Sequence, residues 1–120
     1  MTTPTRSSVL VVDDDEDSLQ AVAMLLRIAG HDVRTAGSGA AALAVLDSFS
    51  PRVAIIDIAL PDMEGPHLAR RLRAHPAAAG CAMVALSGFD PPAATEMPFV
   101  HYLVKPIDTD ALLALLAAMP

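Results

Sequence analysis

The sequence predicts an α/β fold, an open, doubly wound parallel sheet of five strands with helices on both faces. Three observations predict it. Five short strand-like runs (Val9–Val12, Asp32–Ala36, Val53–Ile56, Ala82–Leu86 and Phe99–Val104) alternate with helix-like segments, the pattern of repeated strand–helix units. The first run lacks polar alternation, as a strand buried on both faces does. The links are short, and right-handed crossovers then favour an open sheet.

The elements follow in order. Met1 to Ser8 is polar with one Arg and no apolar signal-peptide core, and reads as a flexible lead-in (residues 1–8) to one folded domain (residues 9–120). After Val9–Val12, the acids Asp13 to Asp17 open a helix from about Glu16 to Ala29, where negative charge complements the helix dipole. Val22, Leu25, Leu26 and Ala29 form its apolar stripe, and Leu19, Met24 and Ile28 widen it beyond one core contact. Gly30 suits the position just past the helix end.

Asp32–Ala36 is the second strand, and Ser38 a candidate N-cap for a helix to about Ser48. Pro51 precedes the third strand, which runs into Asp57 and the turn Pro61-Asp62-Met63-Glu64-Gly65. Pro66 fits the first turn of the next helix, which ends by Pro76. Ala82–Leu86 leads to Ser87-Gly88, and Phe89 to Pro98 is irregular and Pro-rich. Phe99–Val104 ends at Lys105-Pro106, and Asp108 caps a last helix, Thr109 to Met119, that is nearly all Ala and Leu.

Composition narrows the function. The chain has 120 residues, 53 % of them hydrophobic and only 3 % aromatic, so the core is built from Ala, Val, Leu, Ile and Met. The net charge of −6 disfavours a nucleic-acid surface. Cys81 is the only cysteine, which rules out an internal disulfide and fits a reducing, cytoplasmic setting. No apolar stretch reaches the ~20 residues of a membrane span.

In open parallel sheets the ligand crevice lies at the carboxyl ends of the strands. Here those ends carry Asp13-Asp14, Asp57, Ser87 and Lys105, the only lysine. Each alone has a bland explanation as a cap, turn or solvated end. Together they put three carboxylates, a hydroxyl and an ammonium on one rim. Two carboxylates ~4 Å apart repel by about 4 kcal/mol at an effective dielectric of 20, so such a rim calls for a cation. Mg²⁺ suits carboxylates, waters and phosphate oxygens, with Mn²⁺ as the alternative ion. The four histidines share no metal-binding spacing. This set serves phosphoryl transfer, with Asp57 as nucleophile, Asp13 and Asp14 on the metal, and Lys105 and Ser87 on phosphoryl oxygens.

Val9-Leu10-Val11-Val12-Asp13-Asp14, Asp57 with Leu60-Pro61-Asp62-Met63-Glu64-Gly65, Ala85-Leu86-Ser87-Gly88 and Tyr102-Leu103-Val104-Lys105-Pro106 together resemble the receiver domains of two-component response regulators. The resemblance runs from Val9 to about Met119. It implies a flavodoxin-like sheet in the order 2-1-3-4-5, and Asp57 as acceptor of a phosphoryl group from a sensor histidine kinase or a histidine phosphotransfer domain. It implies Asp14, Asp57 and the Ala59 backbone carbonyl as direct Mg²⁺ ligands, with Asp13 acting through water. Ser87 and Tyr102 match the switch hydroxyl and switch aromatic. The Lys105-Pro106 peptide bond matches one that is usually cis in the family. The chain would thus be a self-phosphorylating acceptor without turnover of an external substrate.

This sequence departs from the family pattern between Ser87 and Lys105, where the fourth helix is expected to be shortened or irregular, and at Gly88, where Ala is usual. Ala59 and Phe89 flank the expected phosphoryl position and neither orients an attacking water, which predicts a long-lived acyl phosphate. A haloacid dehalogenase-type phosphatase with Asp13 as nucleophile is the alternative from another class. It leaves Asp57 unexplained and has Asp17 where Thr or Val is expected. A degenerate receiver acting only as an interaction module is the other. No output domain follows, so either a single-domain regulator or the receiver of a hybrid histidine kinase is expected. The apolar last helix predicts cover from a homodimer or a neighbouring domain. Leu19 and Met24 are candidate docking residues for a helical phosphodonor.

Overall fold

The computed structural model describes residues 7–88, 99–105 and 107–118. Five parallel strands, β1 (Ser8–Val12), β2 (Asp32–Ala36), β3 (Val53–Asp57), β4 (Ala82–Ser87) and β5 (Phe99–Val104), form one sheet in the order β2-β1-β3-β4-β5. Around it stand α1 (Glu16–Ile28), α2 (Gly39–Val45), α3 (Gly65–Arg73) and α4 (Thr109–Ala118). The strand order and the doubly wound architecture are those expected. The irregular fourth helix was expected at Phe89 to Pro98, outside the described residues, as are residues 1–6 of the 1–8 lead-in, Phe89 itself and Pro106 with its peptide geometry. The last two lead-in residues belong to the fold, Ser7 buried and Ser8 the first residue of β1.

Successive strand residues point to opposite faces, and both faces are covered, so β1 and β3 carry unbroken apolar runs. Leu10, Val12, Ala54, Ile56, Met83 and Ala85 pack with Ala42 from α2, Leu46 at its C-terminal cap, and Leu68, Ala69 and Leu72 from α3. Val9, Val11, Val53, Ile55, Val84 and Leu86 pack on the other face with Leu19, Val22, Ala23 and Leu26 from α1 and Leu112 and Leu116 from α4.

The helix ends follow the local chemistry. Ser38 caps α2, its hydroxyl accepting from the Ala41 N–H at 3.1 Å. Gly30 closes α1 with φ +99°, a left-handed conformation that costs glycine little. Pro66 sits in the first turn of α3.

One expectation is corrected. The inward stripe of α1 is Leu19, Val22, Ala23 and Leu26, and Leu19 is only 3 % exposed. It is a core residue beneath β1 and β3 and presents no docking surface. Met24 (62 % exposed) and Ile28 lie outside. A helix apolar over most of its circumference does not reveal which side the sheet takes.

Register assembles the strand ends. Val12 pairs with Ile56, so the next residues, Asp13 and Asp57, stand side by side. Asp57 pairs with Leu86 and Ser87 with Val104, which puts Ser87 one step beyond Asp57 and Lys105 one step beyond Ser87's partner.

Candidate functional site

Asp13 and Asp57 continue the parity of Val9-Val11 and Val53-Ile55, the α1 face of the sheet. Both are buried, at 1 % and 6 % exposure, while Asp14 is exposed at the mouth. Ligand oxygens of Asp13, Asp14 and Asp57 all lie within 4.8 Å of one another.

Lys105 is inserted between the two buried acids. Its Nζ donates to Asp57 Oδ2 at 2.8 Å and lies 3.0 Å from Asp13 Oδ2. The remaining oxygens are also engaged. Asp57 Oδ1 accepts from the Ala59 N–H at 2.9 Å, and Asp13 Oδ1 from the Asp15 N–H at 3.0 Å. A short extended link delivers the ammonium, because the Lys105 N–H donates to the Ser87 carbonyl at 2.8 Å and carries the β4–β5 ladder one residue past β5.

Charge follows burial and pairing. Desolvation raises the Asp13 pKa above the ordinary carboxylate value, opposed by the Asp15 N–H and the Lys105 ammonium and reinforced by the neighbouring Asp57 carboxylate. Burial pulls the Lys105 ammonium down, but its bonds to Asp57 and then Asp13 outweigh that, and its pKa is raised. The Lys105 ammonium is thus held charged between two acids.

Ser87 is buried at the end of β4. Tyr102 is half-buried, its ring edge-on to Phe99 with centroids 5.8 Å apart, and it packs against the α2/α3 side of the core. The structure therefore brings together Asp13, Asp14, Asp57 and Lys105, and register adds Ser87. Ala59 is exposed on the loop after β3, and Met24 lies apart on α1.

A hard dication fits this donor set. Among the described residues the rim offers carboxylate oxygens and no imidazole or thiolate, and one member faces solvent, which leaves room for waters of an octahedral Mg²⁺ shell.

The loop after β3 contains contacts that the pattern of residues did not announce. Asp62 reaches across to α2, its Oδ1 accepting from the Gly39 N–H and its Oδ2 from the Ala40 N–H, both at 2.9 Å. These bonds hold the Asp62 carboxyl below the usual carboxylate range. Met63 covers Gly39 so closely that a Cβ there would stand 2.5 Å from its Sδ. Gly65 permits another close approach, since a Cβ at that position would meet Ile58 Cα at 2.6 Å and the Asp57 carbonyl oxygen at 3.1 Å. The Pro-Asp-x-x-Gly turn marked this stretch, but nothing in the spacing marked its partner.

Comparisons with known proteins agree with this geometry. The family model described as response regulator receiver domain matches residues 9–117. The chain is 33 % identical over 119 residues to a 14.6 kDa protein of Leptolyngbya boryana, covering 96 % of this chain and 91 % of that one. It is 35 % identical over 111 residues to the transcriptional regulatory protein KdpE of Mycobacterium tuberculosis, covering 92 % of this chain and 49 % of the relative. It thus spans about half the length of that regulator. Among solved structures, a CheY-like response regulator receiver domain from Methylobacillus flagellatus superposes with a TM-score of 0.84 at 32 % identity, covering 93 % of this chain and 97 % of that one.

Proposed function

Since the chain belongs to the family of response regulator receiver domains, a signalling rather than a classical enzyme family, we propose that Asp57 is its phosphoacceptor. In this reading a carboxylate oxygen of Asp57 forms an O–P bond as the N–P bond of a phosphohistidine donor breaks, and the imidazole leaves. The single observation that carries it is the Lys105 ammonium held between the buried Asp57 and Asp13 carboxylates. A cation fixed in that position neutralises charge where an incoming dianionic group would otherwise be repelled.

Asp14, Asp57 and the Ala59 carbonyl would hold Mg²⁺, with Asp13 acting through water. When bound, Mg²⁺ supplies charge neutralisation and alignment of phosphoryl oxygens. Asp57 supplies the nucleophile, Lys105 turns from Asp57 Oδ2 to a phosphoryl oxygen, and Ser87 donates to another. Tyr102, packed edge-on to Phe99, changes rotamer as Ser87 is drawn toward the phosphoryl group. Ala59 carries no group that could orient a hydrolytic water, which supports a long-lived acyl phosphate. The donor is a sensor histidine kinase or histidine phosphotransfer domain, and the setting is cytoplasmic. Among the described residues no helix is long and apolar enough to cross a membrane. A second copy or a neighbouring domain would cover the outer face of α4.

The test is incubation with a phosphorylated histidine kinase and Mg²⁺. One phosphoryl group, labile to hydroxylamine as acyl phosphates are, is expected on the wild type and none on Asp57→Asn. Equal labelling of Asp57→Asn would overturn the assignment.

A further inference from the structure

We infer that Asp62 is a positioning residue for the Ala59 carbonyl, acting by anchoring the β3–α3 loop to the start of α2. The inference rests on the receiver reading above, in which that carbonyl is a metal ligand.

The loop from Ile58 to Gly65 is fastened at its base and at its tip. At the base the Ala59 N–H donates to Asp57 Oδ1, the Gly65 N–H donates to the Ile58 carbonyl at 3.0 Å, and Ala59 bridges to Glu64 in antiparallel fashion. These bonds close a short hairpin at its base, and Leu60 and Met63 pack against the core without fixing the orientation of its backbone by hydrogen bonds. At the tip, both Asp62 oxygens bind successive N–H groups of α2, and Met63 lies over Gly39 beside them. Two bonds from one planar carboxylate to two backbone donors fix orientation as well as distance.

The anchor itself does not move, because Ala42 and Leu46 root α2 in the core. Nor does α2 depend on Asp62 alone for its start. Ser38 already caps the Ala41 N–H through its hydroxyl, and its carbonyl accepts from the Ala42 N–H. Asp62 takes the two donors that Ser38 leaves unmet, across a sequence separation of 22 and 23 residues. A helix needing only an N-cap could take one locally. An acid on the metal-side loop ties that loop to a packed helix.

Groups that orient a metal ligand from outside the coordination shell govern affinity by about 10–100-fold when bonded directly to the ligand. Asp62 acts through Leu60 and Pro61, so Asp62→Ala is expected to raise the Mg²⁺ dissociation constant about three- to tenfold, with Asp62→Asn raising it less. The measurement is Mg²⁺ titration of the full chain followed by backbone amide shifts. Ser38→Ala is the control that separates positioning from capping. It weakens the start of α2 and lowers the melting temperature without touching the loop, so its Mg²⁺ affinity stays that of the wild type.

Unchanged Mg²⁺ affinity in both folded Asp62 variants overturns the inference, as does equal weakening in Ser38→Ala. Asp62→Asn keeps the volume and one acceptor, and decides the matter if Asp62→Ala does not fold. A wild type whose Mg²⁺ titration matches that of Asp57→Asn overturns the receiver reading itself and this inference with it. Normal, Asp57-dependent binding with an indifferent Asp62 overturns this inference alone.

Discussion

Replacing Lys105 by Met keeps an unbranched side chain of nearly the same length and removes the positive charge held between Asp13 and Asp57. Their oxygens lie no more than 4.8 Å apart, so the two charges repel by at least about 3.5 kcal/mol at an effective dielectric of 20. Proton uptake sets the ceiling. Neutralising an acid of ordinary pKa at pH 7 costs about 4 kcal/mol, since each pKa unit is worth about 1.4 kcal/mol. The two figures bracket the repulsion from below and above, and local relaxation reduces it. Lys105→Met should therefore lose about 2–4 kcal/mol at pH 7 without Mg²⁺, overlapping the low end of the range for removing one partner of a buried pair, as suits an ammonium that keeps some solvent contact. For a chain of this length that is a fall in melting temperature of about 8–16 °C. Thermal melts in chelator, repeated with saturating Mg²⁺, measure it. Mg²⁺ should recover more stability in the variant than in the wild type, because Lys105 no longer competes for the same oxygens. A variant within about 0.5 kcal/mol of wild type in chelator, or one that gains no more from Mg²⁺, would refute the view of Lys105 as the resident counter-charge.

Gly65→Ala should cost about 1–3 kcal/mol by forcing a methyl against Ile58 Cα and the Asp57 carbonyl, and urea midpoints would show it. The Cys81 thiol is buried and pushed up to about 12 by desolvation, so a thiol-reactive disulfide reagent at pH 8 should label it only after denaturation. The Asp62 pKa is depressed in the fold, so its contribution to stability is present above the ordinary carboxylate range and lost as pH falls through the depressed value. Asp62→Asn should lack that part of the acid unfolding limb. The Lys105 pKa is raised, so its contribution is complete below the ordinary lysine range and lost as pH rises through the raised value. Lys105→Met should lack that alkaline loss, read by melts across a pH series.

The sheet was legible because its strands are short apolar runs that end on chemistry. Val53–Asp57 is the clearest case, four apolar residues and an acid with no structural use at that point except presentation. Ser38, Gly30 and Pro66 were legible because caps and helix ends depend on local backbone needs. The inward face of α1 was not, since Leu19, Val22, Leu25, Leu26 and Ile28 offer several overlapping stripes, and the packing against Val9 and Val11 selects one. Asp62 was visible only as part of a turn. Its bonds to Gly39 and Ala40 are tertiary, and no periodicity records them.

The strands that carry the site differ in how firmly they are built in. In β1 and β3 every residue from Val9 to Val12 and from Val53 to Asp57 is buried, whereas in β5 only Phe99 is, and Val100, His101 and Val104 face outward. The two carboxylates therefore stand at the ends of buried inner strands, and the ammonium one residue past an edge strand that is mostly exposed or half-buried. Substitutions within β3 therefore disturb packed interior, whereas Val100, His101 and Val104 are open to substitution at little cost.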